Sequence, residues 1–396
     1  EAILKSLSKL ESKIKSIEES IDKYEEEKRN IIIEEKTIQN KQKMFEKQFD
    51  KLVKRFGGDG KAPSKASIII HNYQELRNKF TNYQNLTEVD LNDIDFSEMT
   101  DASNLFNSWT KLRKLDLSNC DFYNIEKAQN MFYGCSQLQE IIFSNDDFFK
   151  CTNMEQMFYN CTQLQKLDLS SFDTSSVTNM QYMFYNCQNL RDLNISLFNT
   201  SKCTQMDYMF SNCRQLQNLD LSSFNTINIT SMQQMFYNCQ NLRDLNVSSF
   251  NTSKCQTMSQ MFANCKQLQK LDLSNFDTSN VTNMQYMFQN CQNLQDLNVS
   301  SFNTTRCQYM DYMFQGCANL RKLNLSSFNT QSVASYQYMF QNCTNLEELN
   351  IPNFYISTTA LGYMFNNCAN LRTIYTNSNF ISYIYSYSNW QYGNFT

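Results

Sequence analysis

The sequence predicts an α/β solenoid, short parallel strands backed by short helices, preceded by an α-helical coiled coil. Three observations carry this. A Met-Phe pair returns every 26 residues, from Met157-Phe158 through Met183-Phe184 and Met209-Phe210 to Met339-Phe340. Triplets of the form LxxLxL keep the same step, as in Leu164/Leu167/Leu169. Residues 1–56 carry a heptad pattern of apolar side chains. A fixed period of 20 to 30 residues means that each copy buries its apolar face only by stacking on its neighbours.

In residues 1–56 the seam runs through Ile3, Leu7, Leu10, Ile14, Ile17, Ile21 and Tyr24 in alternating four- and three-residue steps. It continues through Ile31, Ile38, Phe45, Phe49, Leu52 and Phe56, with polar residues at intervening positions. A lone helix would leave this stripe in water, so a coiled-coil partner is expected, homo- or hetero-oligomeric, with Leu7, Leu10, Ile14, Ile17, Ile21, Ile31 and Ile38 as the oligomerisation seam. Residues 57–66 read as a linker, since Gly57, Gly58, Gly60 and Pro63 fall within them while the whole chain has 7 Gly and 2 Pro.

The solenoid is expected over residues 67–376, in about twelve coils of 26 residues. In each LxxLxL triplet the alternation at the last two positions predicts a short strand with one buried face. A Phe follows (Phe172, Phe198, Phe224 and onwards), then in most copies a Thr two residues later. The stretch Val177 to Phe184 has apolar residues at 177, 180, 183 and 184, which predicts a two-turn helix. Asn160, Asn186, Asn212, Asn238, Asn264, Asn290 and Asn342, replaced by Gly134 and Gly316 in two copies, predict its C-cap, because Asn and Gly tolerate positive φ. The copies also alternate: Cys151, Cys203, Cys255 and Cys307 lie 52 residues apart, so the duplicated unit spans two repeats. Residues 377–396, with Tyr383, Tyr385 and Tyr387 alternating with serines, are expected to form an aromatic C-terminal cap with one wet strand face.

The repeat Phe172 to Phe198 resembles the BspA-like leucine-rich repeats of bacterial, mycoplasma and protist surface-type proteins, over roughly residues 80–376. The resemblance implies a leucine-rich-repeat array used for adhesion or protein binding, and a place at the cell surface. No signal peptide is read in the residues from Glu1 onwards, and a start at Glu rather than Met leaves room for an upstream segment.

Composition narrows the function. Of 35 Lys and Arg and 39 Asp and Glu, residues 1–56 hold 14 and 12, leaving 21 and 27 for the rest. Without a basic stripe, no nucleic-acid partner is expected. No run approaches the length of a membrane span. The single His lies outside the repeats and the carboxylates are periodic rather than paired in one cleft, so no catalytic residues, enzyme activity or cofactor are expected. Ten cysteines recur once per repeat without a CxxC pair; a file of identical thiols suits neither zinc nor disulfides, and buried free thiols are expected, with no metal site.

The outward strand positions form two polar columns. Lys166, Asp192, Asp244, Lys270, Asp296 and Lys322 belong to one; Asp168, Asn194, Asp220, Asn246, Asp272, Asn298 and Asn324 belong to the other. Stacking and solubility account for such columns, and a partner-binding strand face is the sharper alternative. The expectation is a non-catalytic protein-interaction or adhesion module, oligomerised or anchored by its coiled coil. The alternative is a structural subunit built permanently into a filament or a cytoskeletal or ciliary assembly, with a cytoplasmic or cytoskeletal location.

Overall fold

The computed structural model describes residues 68–92, 94–144, 148–355, 363–386 and 394–395. The heptad seam of residues 1–56 and the linker 57–66 lie outside them. The described residues belong to one compact unit, Lys65–Thr396.

Its first elements are β1 (Ile68–Ile69), paired in parallel with β2 (Ile94–Asp95), and α1 (Tyr73–Lys79). The Asn72 side chain starts α1 by accepting hydrogen bonds from the main-chain N–H groups of Gln74 and Glu75. Leu76 is the residue α1 buries.

Eleven strands then follow at the repeat: β3 (Lys114–Leu117), β4 (Glu140–Phe143), β5 (Lys166–Asp168), β6 (Asp192–Asn194), β7 (Asn218–Asp220), β8 (Asp244–Asn246), β9 (Lys270–Asp272), β10 (Asp296–Asn298), β11 (Lys322–Asn324), β12 (Glu348–Ile351) and β13 (Thr373–Thr376). The expected parallel-strand solenoid is thereby present. Registers follow the repeat, so Lys166 faces Asp192 and Leu167 faces Leu193. The central Leu of each three-residue strand points inward and its neighbours outward, as the period of two demands.

The opposite side of each coil is not helical. Residues such as 179–187 form a run of turns, with residue pairs from successive coils bridging in parallel, Asn153 with Asn179 and Asn179 with Gln205. The hydrogen bonds give the reason. The N–H groups of Met154, Gln156, Phe158 and Asn160 donate to Asn179, Gln181, Met183 and Tyr185 of the next coil, and only the intervening N–H groups bond within their own coil. A helix needs those alternate N–H groups for itself. Each turn run also has two left-handed residues four apart, Gln156 (φ 55) and Asn160 (φ 60), and right-handed helix cannot pass through them. The Asn and Gly positions therefore do take positive φ, but inside a turn ladder rather than at a helix cap. Val177, Met180, Met183 and Phe184 are buried as the helix reading required, so the burial pattern was right and the local geometry was not.

Between the two sides runs one apolar core. Its continuous aromatic file is the Phe of the Met-Phe pair, from Phe106 and Phe132 through Phe184 and Phe210 to Phe365, with ring centroids 5.3 to 5.7 Å apart. The Phe after the strand forms a broken file: Phe198 stacks on Phe224 and Phe250 on Phe276 as separate pairs, while Phe302, Phe328 and Phe354 stack in a row. The Thr two residues later is buried and stitches coils together: Thr200 Oγ1 donates to Asn225 O at 2.9 Å and accepts from Asn225 N at 2.8 Å. At the C-terminal end, residues 378–386 form α2 (Ser378–Ser386) where a strand was expected. Phe380 of α2 is buried edge-on against Phe354 and Phe365, and β14 (Asn394–Phe395) adds beside β13.

Candidate functional site: the strand face and the turn face

On the strand side, strands associate by twos: β3 with β4, β5 with β6, β7 with β8, and β9 with β10, while β11 to β14 form one sheet. The two-repeat period read from the cysteines is thus a structural period as well. On the turn side, tyrosine rings of neighbouring coils stack with centroids 4.5 to 4.7 Å apart, as in Tyr133–Tyr159–Tyr185, Tyr182–Tyr208 and Tyr286–Tyr312–Tyr338. Strand pairing holds neighbours at about 4.8 Å, and from β3 to β11 it is made at alternate seams.

Every outward residue expected on the strand face is found there and exposed. The closed seams bring them together in pairs: Lys166 Nζ lies 3.4 Å from Asp192, Lys270 3.4 Å from Asp296, and Lys322 2.8 Å from Glu348. In the pair β7 and β8, Asn218 takes the place of Lys, and with its amide nitrogen turned to the carboxylate it donates to Asp244 at 2.8 Å. The second column serves the turns as well: Asp168, Asp220 and Asp272 each accept the N–H two residues on, at 3.0 Å. That is an Asx turn closing the strand, which accounts for Asp and Asn at that column without any ligand. Asn246 also donates to Asp220 at 3.2 Å. Among the described residues no three His, Cys, Asp or Glu side chains converge as a metal site.

Two equivalent open grooves lie across the seams β8/β9 and β10/β11. The first, about 630 Å³, is lined by Asp220, Arg243, Asp244, Leu245, Asn246, Gln269, Lys270 and Asp272. The second, about 880 Å³, is lined by Lys270, Asp272, Gln295, Asp296, Leu297, Asn298, Arg321 and Lys322. Their apolar floors include Leu245 and Leu297, which stay half-buried while Leu219 and Leu271 on the partner strands are buried. Sequence reasoning found the polar walls and missed Arg243, Arg321 and these floors. The 52-residue alternation was the available signal, since it marks which seam opens.

The fifteen cysteines are all buried and none forms a disulfide. Each ladder thiol donates to a main-chain carbonyl of the preceding coil, as Cys187 Sγ does to Phe158 O at 3.1 Å. Burial pushes Cys135, Cys187, Cys239 and Cys291 up to about 12 and others, such as Cys213, well above the usual thiol value. Such thiols are poor nucleophiles and poor metal ligands. Among the described residues no helix is long and apolar enough to cross a membrane.

The profile of one protein family, described as Mycoplasma protein of unknown function, DUF285, matches residues 67–166, 152–271 and 256–378. No curated protein matches the chain. Similar solved structures include a leucine-rich cell surface protein from Faecalibacterium prausnitzii A2-165, 18% identical over 74% of this chain and 80% of that one, with a TM-score of 0.38. A leucine-rich repeat protein from Bacteroides ovatus ATCC 8483 is 15% identical over 75% and 88%, with a TM-score of 0.33. One from Eubacterium ventriosum ATCC 27560 is 16% identical over 70% and 89%, with a TM-score of 0.32.

Proposed function

The chain belongs to the DUF285 family, in keeping with the BspA-like leucine-rich repeats that its motif resembles, and from that premise we propose that it is a non-catalytic protein-interaction or adhesion module. Its polar strand face takes the partner, and the heptad segment 1–56 holds copies together or anchors them. The observation that carries this reading is the pair of equivalent grooves at alternate seams, each with a half-buried Leu between charged and amide side chains. An apolar floor ringed by polar groups is the anatomy of a protein-binding patch. Residues 377–396 act as the terminal cap of the stack, since an uncovered last coil would leave core apolar surface in water.

The test uses the full chain and two variants. One carries Asp244→Ala, Lys270→Ala and Asp296→Ala on the strand face; the other carries Ile14→Asp, Ile17→Asp and Ile21→Asp in the seam. A protein captured from cells by the unchanged chain and lost by the strand-face variant, at equal melting temperature, supports the face. A fall in molar mass by sedimentation in the seam variant supports the coiled coil. Capture untouched by the strand-face changes, or a mass that does not change, removes the corresponding half.

A further inference from the structure

The turn face uses tyrosine where its backbone asks for asparagine. Every coil has two left-handed positions there. The second is filled by Asn or Gly in every coil but the first, where Ser108 stands, and Asn and Gly take positive φ readily. At the first, four residues earlier, stand Tyr182 (φ 56), Tyr208 (φ 60), Tyr286 (φ 58), Tyr312 (φ 58), Tyr338 (φ 58) and Tyr363 (φ 56). A bulky aromatic held in the left-handed region is strained, and such outliers point to use of the side chain. Their rings are half-buried, except for Tyr363, which is 65% exposed, and they stack into two rows separated by Gln234 and Gln260.

Beyond Lys127, which bridges Asn153 in the ladder, the charge on this face has one sign. In residues 153–160 and the seven equivalent stretches to 335–342 there is no Lys or Arg, while Glu155, Asp207 and Asp311 are all present. The field reaches the rings: burial first, then the neighbouring Tyr208 and Asp207, raise the Tyr182 hydroxyl, and burial then Asp311 raise that of Tyr286.

We propose that the tyrosine rows are a second docking surface, distinct from the strand face, and that they take an extended basic segment of a protein partner. Its Arg or Lys side chains lie against the half-buried rings within the field of Glu155, Asp207 and Asp311, combining cation–π attraction with complementary charge. Tyr is also the side chain that offers large contact area for little lost freedom.

The test is calorimetric titration of the full chain with octa-arginine, at two salt concentrations, with octa-glutamate as control. Three variants are compared: Tyr182→Asn with Tyr208→Asn, Asp207→Asn, and a strand-face control of Asp220→Asn with Asp272→Asn. Because Asn suits the left-handed position, the double tyrosine variant keeps the fold. The expected result is binding of octa-arginine only, weakened by salt, reduced at least tenfold in the tyrosine variant, reduced several-fold by Asp207→Asn, and unchanged in the strand-face control. Absence of octa-arginine binding, or equal loss in the strand-face control, overturns the proposal. So does unchanged affinity with a lowered melting temperature in the tyrosine variant, which would make the rows packing alone. Self-association that vanishes with the tyrosines would assign the face to a second copy and overturn it as well.

Discussion

On the turn side, alternate residues of a coil donate their N–H groups to the next coil through the regular stretch, with a gap at Met206, whereas on the strand side main-chain pairing from β3 to β11 closes only alternate seams. The turn side also holds the Asn ladder, with Asn186 Nδ2 donating to Asn160 Oδ1 at 2.7 Å and Asn238 Nδ2 to Asn212 Oδ1 at 2.6 Å. The strand side has exposed ion pairs instead, which in high dielectric contribute little. One repeat thus stacks by two means. The turn side carries the stack, and the strand side is left free to vary its outward residues and open grooves.

The largest effect that separates the two sides concerns the thiols under the turn side. Ordinary thiols titrate near 8.5, while burial holds Cys187 and Cys239 at about 12 in the folded chain. Between those values the folded state keeps protons that the unfolded state gives up. The stability these thiols contribute is therefore whole below about pH 8.5 and drains as pH rises towards 12. Urea midpoints should hold steady from pH 7 to 8 and fall sharply by pH 10.5, with thiol reagents reacting only as the chain unfolds. A midpoint that stays flat to pH 10.5 means that the thiols reach water in the folded state.

That division was only partly legible in the sequence. The period, the inward Leu of each strand and the burial of the Met-Phe pairs follow from spacing alone, because stacking equal coils leaves an apolar position nowhere else to go. The turn side was misread, since apolar residues at 177, 180, 183 and 184 satisfy a helix and a turn ribbon equally. What decides between them is where the alternate N–H groups find acceptors, and those acceptors lie 25 residues away in the next coil. Tyr182 at positive φ concealed the first left-handed position of its coil, because tyrosine gives no signal for it. The outward strand positions follow from the period of two, but their division into closed and open seams is made between repeats, which no single repeat encodes.

A smaller effect comes from one substitution made on each side. Asn238→Val places a β-branched residue at φ 60 and removes the amide that bonds Asn212. A left-handed β-branched residue costs about 1–2 kcal/mol, and the lost hydrogen bond about 1 more. Asn218→Val on β7 meets a strand backbone that favours β-branched residues, and a change below about 1 kcal/mol is expected. Chemical denaturation of the two variants measures the difference. Equal losses would mean that the turn side has no special hold on the stack.

The smallest effect is expected within the strand face itself, at the closed seam between β9 and β10. Lys270 and Asp296 are 81% and 68% exposed, so Lys270→Ala should leave the melting temperature within experimental error. Lys270→Asp is a sharper probe, because it sets two carboxylates opposite each other on paired strands, where like charges repel. If the turn side carries the stack, that repulsion has a local outlet: the seam opens as its neighbours already do, and amide exchange quickens in residues 270–272 and 296–298 while the global midpoint holds. The neighbouring pair β7 and β8 shows why such a change is bearable, since Asn218 holds Asp244 there with no cation at all. A global loss comparable to that of Asn238→Val would instead show that a closed seam is needed for the whole stack, and the strand face would then be scaffold before it is a binding surface.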